Sequence, residues 1–202
     1  MAWPKEKAEK RKKEILENFY AVLASEGLEG ASIAKIADRM GVNPSLIIHY
    51  FSTKEEMVVS LVDYILDRYE SAFLPRLREI DDLEERLETA AKDIFSVDWA
   101  GLVDQGVFYA CYSLGFRNPR VRESFRRMYD RLREVLTEEL TAMADAGIVS
   151  DGNPEKLAGL VIAMLEGYDF YRGMLDEGEV EEFGRFCKES VIAILRGQYG
   201  GR

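Results

Sequence analysis

The chain is short of the residues that make stapled folds, metal centres and membrane spans. Its 202 residues include two cysteines, Cys111 and Cys187, and a single histidine, His49. Two thiols so far apart in sequence make neither a disulfide framework nor a metal cluster. One histidine, with no acid at helical spacing before it, excludes the His-rich sites of metallohydrolases, and no glycine-rich loop is present to cradle a phosphate. No cofactor and no enzymatic activity are expected from such a set. The most apolar uncharged run, residues 105–116, is too short to span a bilayer and reads as a buried helix. The opening stretch, MAWPKEKAEKRKKE, lacks the apolar centre of a secretory signal. No contact with a membrane and a cytoplasmic location are therefore expected. No segment carries a convincing strand pattern.

Charge is present in excess of one sign, but unevenly. Residues 1–60 hold nine basic and nine acidic side chains, whereas residues 61–202 hold 18 basic and 28 acidic, the whole of the net charge of −10. Lys5–Lys13 packs six basic residues against two acidic ones. A less acidic head with a basic arm, on an acidic body, suits a nucleic-acid-facing end. The arm reads equally well as a solvated helix start.

The stretch Ala31–Phe51, ASIAKIADRMGVNPSLIIHYF, organises the rest. Ser32 is an N-cap candidate for a short helix to Met40. Gly41 stands where the chain must leave that helix through a left-handed conformation. Asn43-Pro44 restarts it, Asn as cap and Pro at the first helical position, where a missing N–H costs nothing. Two helices this short hold only by packing on each other. Ile36, Met40, Val42, Ile47 and Phe51 supply the apolar positions, and Ala37 is small where the helices cross. The pattern predicts a helix-turn-helix whose second helix, about Pro44–Phe51, enters a major groove.

Around it the chain reads as about nine helices, all-α. A first helix over Pro4–Ser25, with Ile15, Phe19, Val22 and Leu23 inward, ends at Gly27 and Gly30. Ser52 with Glu55 forms a capping box for a fourth helix that Pro75 limits. Further helices are predicted over Asp82–Val97 and Trp99–Phe116, then from Asn118-Pro119 to Ala146. Two more follow, one from Asn153-Pro154 and one after Gly178. The expected division is residues 1–53 for DNA binding and 54–202 for effector binding and dimerisation, with helix 4 as the link.

The order of Ile36-Ala37, Gly41-Val42, His49-Tyr50-Phe51 and Lys54-Glu55-Glu56 resembles the DNA-binding domain of the TetR family of bacterial transcription regulators. That resemblance implies a homodimer on a palindrome of double-stranded DNA, most often as a repressor, released by a small-molecule effector whose identity is unknown. It places Pro44, Ser45, Leu46, Ile48 and His49 on the groove side. Ser32, Tyr50 and Lys54 fall at phosphates, and Ile47 and Phe51 inward. The family usually carries a small residue, Thr and Tyr where this chain has Ser45, Leu46 and Ile48. The two aliphatics either touch thymine methyls or pack on helix 1 or helix 4. A helical protein-interaction module without DNA binding is the alternative that a random-duplex binding assay separates.

Two further groups are expected in the body. Tyr64, Tyr69, Phe95, Trp99, Phe108, Tyr109, Tyr112, Tyr129 and Phe170 are candidates for a ligand pocket, with Asp98 and Asp104 beside them favouring a cation or simply solvated. Leu157, Leu160, Val161, Met164, Leu165, Tyr168, Phe183, Phe186, Val191, Ile194 and Leu195 line the last two helices, a candidate dimer face with Gly159 and Ala163 allowing close approach. The same faces read alternatively as monomer core.

Overall fold

The computed structural model describes the backbone of residues 3–198 and the side chains of 6–97, 99 and 101–198; Asp98 and Lys5 therefore lie outside the described side chains. Ten helical segments and no strand occur among the described residues: α1 Trp3–Gly30, α2 Ile33–Met40, α3 Pro44–Tyr50, α4 Lys54–Arg78, α5 Leu83–Ile94, α6 Val97–Leu102, α7 Gln105–Gly115, α8 Pro119–Asp145, α9 Pro154–Arg172 and α10 Glu177–Leu195. The chain is thus all-α, as its pattern predicts, with the six-residue α6 added to nine longer helices.

Helix boundaries follow capping chemistry where caps are local. Asn153 Oδ1 accepts from the Lys156 N–H at 3.0 Å to start α9, and Asn118 Oδ1 accepts from Arg120 and Val121 at the start of α8. Four expectations shift. Thr53, not Ser52, caps α4: its hydroxyl accepts from the Glu56 N–H at 3.1 Å, while Glu56 accepts from the Ser52 N–H. α4 runs through Pro75 to Arg78, because Phe73 and Leu77 on either side pack around Trp99 and hold the turn. The run Trp99–Phe116 is broken, since Asp104 accepts from the Val107 N–H and starts α7 afresh. The last helix begins before Gly178, where the Asp176 N–H donates to Glu179.

The residues group into two compact units. One comprises the chain up to Asp67 together with Val103–Met128, the other Arg68–Leu102 and Tyr129 onward. The first is larger than the expected 1–53 head, because α7 packs on α1: the Asp104 N–H donates to the Tyr20 hydroxyl at 2.6 Å. Arg120, at the start of α8, lies 3.9 Å from Glu55 and 3.8 Å from Glu56, and Arg127 lies 3.7 Å from Asp63. Ile15, Phe19, Ile36, Ile47, Met57 and Leu61 are among its wholly buried side chains.

The second unit closes around Leu87, Ala91, Phe95, Leu140, Val161, Tyr168 and Val191. There α10 crosses α5 so closely that a Cβ on Gly184 would lie 2.5 Å from the Phe95 carbonyl oxygen. Only glycine fits that crossing.

Candidate functional site

Gly27 breaks α1 at φ 70°, ψ 177°, and turns the chain into α2. Ser32 then caps α2, its hydroxyl accepting from the Lys35 N–H at 3.3 Å. Gly41 ends it at φ 65°, ψ 33°, a left-handed conformation that any Cβ would strain. The Val42 N–H donates to the Ala37 carbonyl at 3.0 Å, closing the turn. Asn43 caps α3 by accepting from the Ser45 N–H at 2.9 Å, with Pro44 in the first turn.

This geometry divides α3 into two faces. Ile47 and Phe51 point inward and are buried, joined below by Ile36 and Ala37. Val42 and Met40, expected in the core, are only half-buried, because they sit at the rim of the turn. Pro44, Ser45, Ile48 and His49 are exposed on the other face, as helical spacing requires of residues three and four apart. Ile48 is 52% exposed; Leu46 and Tyr50 are half-buried. His49 and Tyr50 meet edge to face, ring centres 5.1 Å apart.

Lys54, expected at a phosphate, starts α4 and is half-buried. Its ammonium donates to the Leu28 carbonyl, one of the groups left over where α1 ends. Burial lowers its pKa, against the pull of the Cys111 thiol and Glu29. Burial in turn pushes the Cys111 thiol up to about 12, so that it is a packing group rather than a nucleophile. The exposed base nearest the probe in sequence is Arg39, in the last turn of α2. The motif's spacing does not single it out, although its position before Gly41 marks the helix end. Lys35 beside it pairs with Glu26. In α1, Lys7, Lys10 and Lys13 are exposed, whereas Arg11 and Lys12 pair with Glu14 and Glu9 along the helix.

The aromatic candidates are spread over both units. Tyr64, Phe108, Tyr109 and Tyr112 belong to the first unit, where Phe108 and Tyr112 pack on Phe125. Tyr69, Phe95, Trp99, Tyr129 and Phe170 belong to the second. Tyr69 stacks on Trp99 with ring centres 4.6 Å apart, Phe73 lies 4.7 Å from the same ring, and Leu165 packs against them. Phe95 meets Tyr168 edge to face within the main core. Phe170 faces outward, 63% exposed, because it lies on the opposite side of α9 from Leu165 and Tyr168. Asp104 is the α7 cap. A group absent from the expectations is Glu166, the one acid in the run VIAMLEGY of α9. Burial raises its pKa to about 7, partly offset by a hydrogen bond with Tyr129, while Asp169 adds to the rise.

The dimer candidates divide as well. Val161, Leu165, Tyr168, Val191 and Leu195 are buried in their own chain, and Leu157, Met164, Phe183 and Ile194 are half-buried against it. Leu160 and Phe186 remain outside. Tyr171 and Met174, missed by the periodicity, are exposed beyond Phe170. Nothing lies within 4 Å of where a Cβ on Gly159 or Gly167 would stand. Among the described residues no helix is long and apolar enough to cross a membrane.

Comparison with known proteins agrees with this geometry. Residues 15–61 match the family described as bacterial regulatory proteins of the tetR family, and residues 82–196 match its tetracyclin-repressor-like C-terminal domain. The HTH-type transcriptional regulator BetI of Rhizobium meliloti is 24% identical over 194 residues, 95% of this chain and 93% of that one. A transcription regulator from Haloarcula marismortui superposes with a TM-score of 0.78 at 22% identity, covering 93% of this chain and 98% of that one. A regulator from Saccharomonospora viridis, crystallised in complex with choline, superposes at 0.72 and 19% identity over 90% and 95% of the two chains.

Proposed function

The chain belongs to the TetR family of DNA-binding transcriptional regulators, and from that premise we propose that it is a cytoplasmic, homodimeric repressor whose hold on a palindromic operator is released by a small molecule. The observation that carries the reading is the division of α3. Ile47 and Phe51 fix the helix to its support, and Pro44, Ser45, Ile48 and His49 are left exposed. A rigid seven-residue probe with one face free suits a major groove. Two such probes, about 34 Å apart, would enter successive major grooves. Ser32 retains a hydroxyl hydrogen for a phosphate, since its oxygen is what caps α2. Arg39, exposed in the last turn of α2, adds a positive charge beside the probe, and Lys54 keeps two ammonium hydrogens besides the one it gives to Leu28.

Dimerisation is supported by the outward face of α9. Leu160, Ala163, Gly167, Phe170 and Tyr171 recur at helical spacing and are exposed, continued by Met174 and accompanied by Phe186 on α10. A contiguous apolar stripe of this kind marks a protein contact, and the two open glycines permit close helix approach. Effector binding is supported by the second unit's Tyr69–Trp99–Phe73 group and the half-buried Glu166 carboxyl, and by the choline held by the Saccharomonospora viridis neighbour. Release then follows if the effector favours the geometry that does not fit DNA.

Selection of duplexes from a random pool by the purified protein tests the reading. An enriched sequence with two-fold symmetry, bound by a species of twice the chain mass in sedimentation, is expected. Enrichment of nothing over input would overturn it.

A further inference from the structure

α3 reads PSLIIHY, and it holds no Arg, Lys, Asn or Gln. The side chains that make two hydrogen bonds to one base, Arg or Lys on guanine and Asn or Gln on adenine, are therefore absent from the helix itself. Asn43, just before it, has its amide oxygen committed to the Ser45 N–H at 2.9 Å. Lys54 lies outside α3, at the start of α4, and gives one ammonium hydrogen to the Leu28 carbonyl. What the exposed residues of α3 present is one hydroxyl, one imidazole and two apolar surfaces, with the Tyr50 phenol half-buried at the helix end. Ser45 and His49 can each make single hydrogen bonds, which several bases satisfy. Ile48 cannot hydrogen-bond at all, yet it stands 52% exposed at the middle of the free face, between Ser45 one turn back and His49 beside it.

Resting on the reading of α3 as a groove probe, we infer that Ile48 sets operator specificity by packing its branched side chain on the 5-methyl group of a thymine. Thymine is the only unmodified DNA base with an apolar group in the major groove. An isoleucine laid over it removes both from water. Over cytosine the same side chain covers an amino group and leaves it without a partner, which is costly. Ile48 thus selects by contact with one base and by exclusion of another.

The test uses the full-length protein and the duplex it selects. Each thymine of that duplex is replaced in turn by deoxyuridine, which deletes only the methyl and leaves every hydrogen-bonding group. One thymine per half-site is expected to matter, its loss weakening binding about four-fold, or about sixteen-fold when both half-sites are changed. Ile48→Ala is expected to bind the thymine and uracil duplexes equally, and Ile48→Val to keep part of the difference. Circular dichroism and binding to the uracil duplex show whether each variant is folded. Methyl-insensitive binding at every thymine overturns the inference while leaving the groove-probe reading intact. Methyl discrimination that survives in Ile48→Ala overturns it in the same way. Failure to select any duplex overturns the underlying reading and this inference with it.

Discussion

Ile47 and Ile48 are neighbours of one chemistry, the first wholly buried and the second half in solvent; on α9, Val161 and Leu160 stand in the same relation. What differs is the setting of the exposed member. Ile48 is a branched aliphatic with Ser45 and His49 beside it and only Pro44 as an exposed apolar neighbour on α3, whereas Leu160 opens a stripe that reaches Phe170, Tyr171 and Met174. An isolated exposed aliphatic is ordinary and suits a polar partner with one apolar feature. A continuous stripe is not ordinary, and suits a surface as apolar as itself. The same inward–outward division of a helix therefore yields two kinds of interface, and the extent of the outer apolar face decides which.

Truncating the inner members should give the largest effects. Ile47→Ala is expected to cost about 2–5 kcal/mol in urea denaturation, because the short α2–α3 pair cannot collapse around the cavity. Ile48→Ala should stay within about 0.5 kcal/mol. Similar midpoints for the two variants would break the comparison at its root.

Next come substitutions on the outer stripe. Leu160→Glu combined with Phe170→Glu should raise the dissociation constant of the dimer by about 30- to 1000-fold, the range of 2–4 kcal/mol typical of well-packed interface anchors. Sedimentation velocity across a dilution series measures it. An unchanged dissociation constant would show that the stripe is not where two copies meet.

These pairs also explain which features are legible in the sequence. Ser32, Gly41 and Asn43-Pro44 are readable because a cap is satisfied within three or four residues, and the turn between α2 and α3 admits little else. The inward place of Ile47 and Phe51 follows from the same short spacing. The faces of α9 are not readable. Leu157, Leu160, Val161, Met164, Leu165 and Tyr168 surround much of the helix, so periodicity finds an apolar helix without choosing which side the core of its own chain takes. It favours the inner side as an interface and passes over Tyr171 and Met174. The partner of Lys54 is unreadable for a related reason: its sequence position marks the start of α4, but its ammonium donates to a carbonyl 26 residues earlier. Pro75 obeys a local rule that the packing of Phe73 and Leu77 outweighs.

Glu166 sharpens the comparison from the other direction, since it is a half-buried polar group between the two faces of α9. Burial raises its folded-state pKa from 4.5 to about 7. Between those values the folded chain keeps a proton that the unfolded chain has released, so stability falls as pH rises from about 4.5 through 7. Glu166→Gln should abolish that part of the slope and be the more stable protein at pH 8, by about 1–3 kcal/mol. Denaturation midpoints at pH 5 and pH 8 measure it, and parallel shifts in both proteins would mean that the carboxyl is solvated.

The smallest effects belong to the caps, where the two regions should separate in kind rather than in size. Ser32 and Asn153 each accept one N–H at a helix start, at 3.3 and 3.0 Å. Replacing either with Ala should cost about 1 kcal/mol of stability. The consequences for DNA should differ. α2 has only eight residues, and the Ser32 hydroxyl has a hydrogen left to give, so Ser32→Ala should weaken operator binding several-fold beyond what its lost stability explains. Asn153 starts a nineteen-residue helix of the second unit and should leave operator affinity untouched. Fluorescence anisotropy with a fixed operator, far below the unfolding midpoint of both variants, compares them directly. Equal losses of affinity would mean that Ser32 acts only by holding α2 in place, and that its hydroxyl makes no phosphate contact.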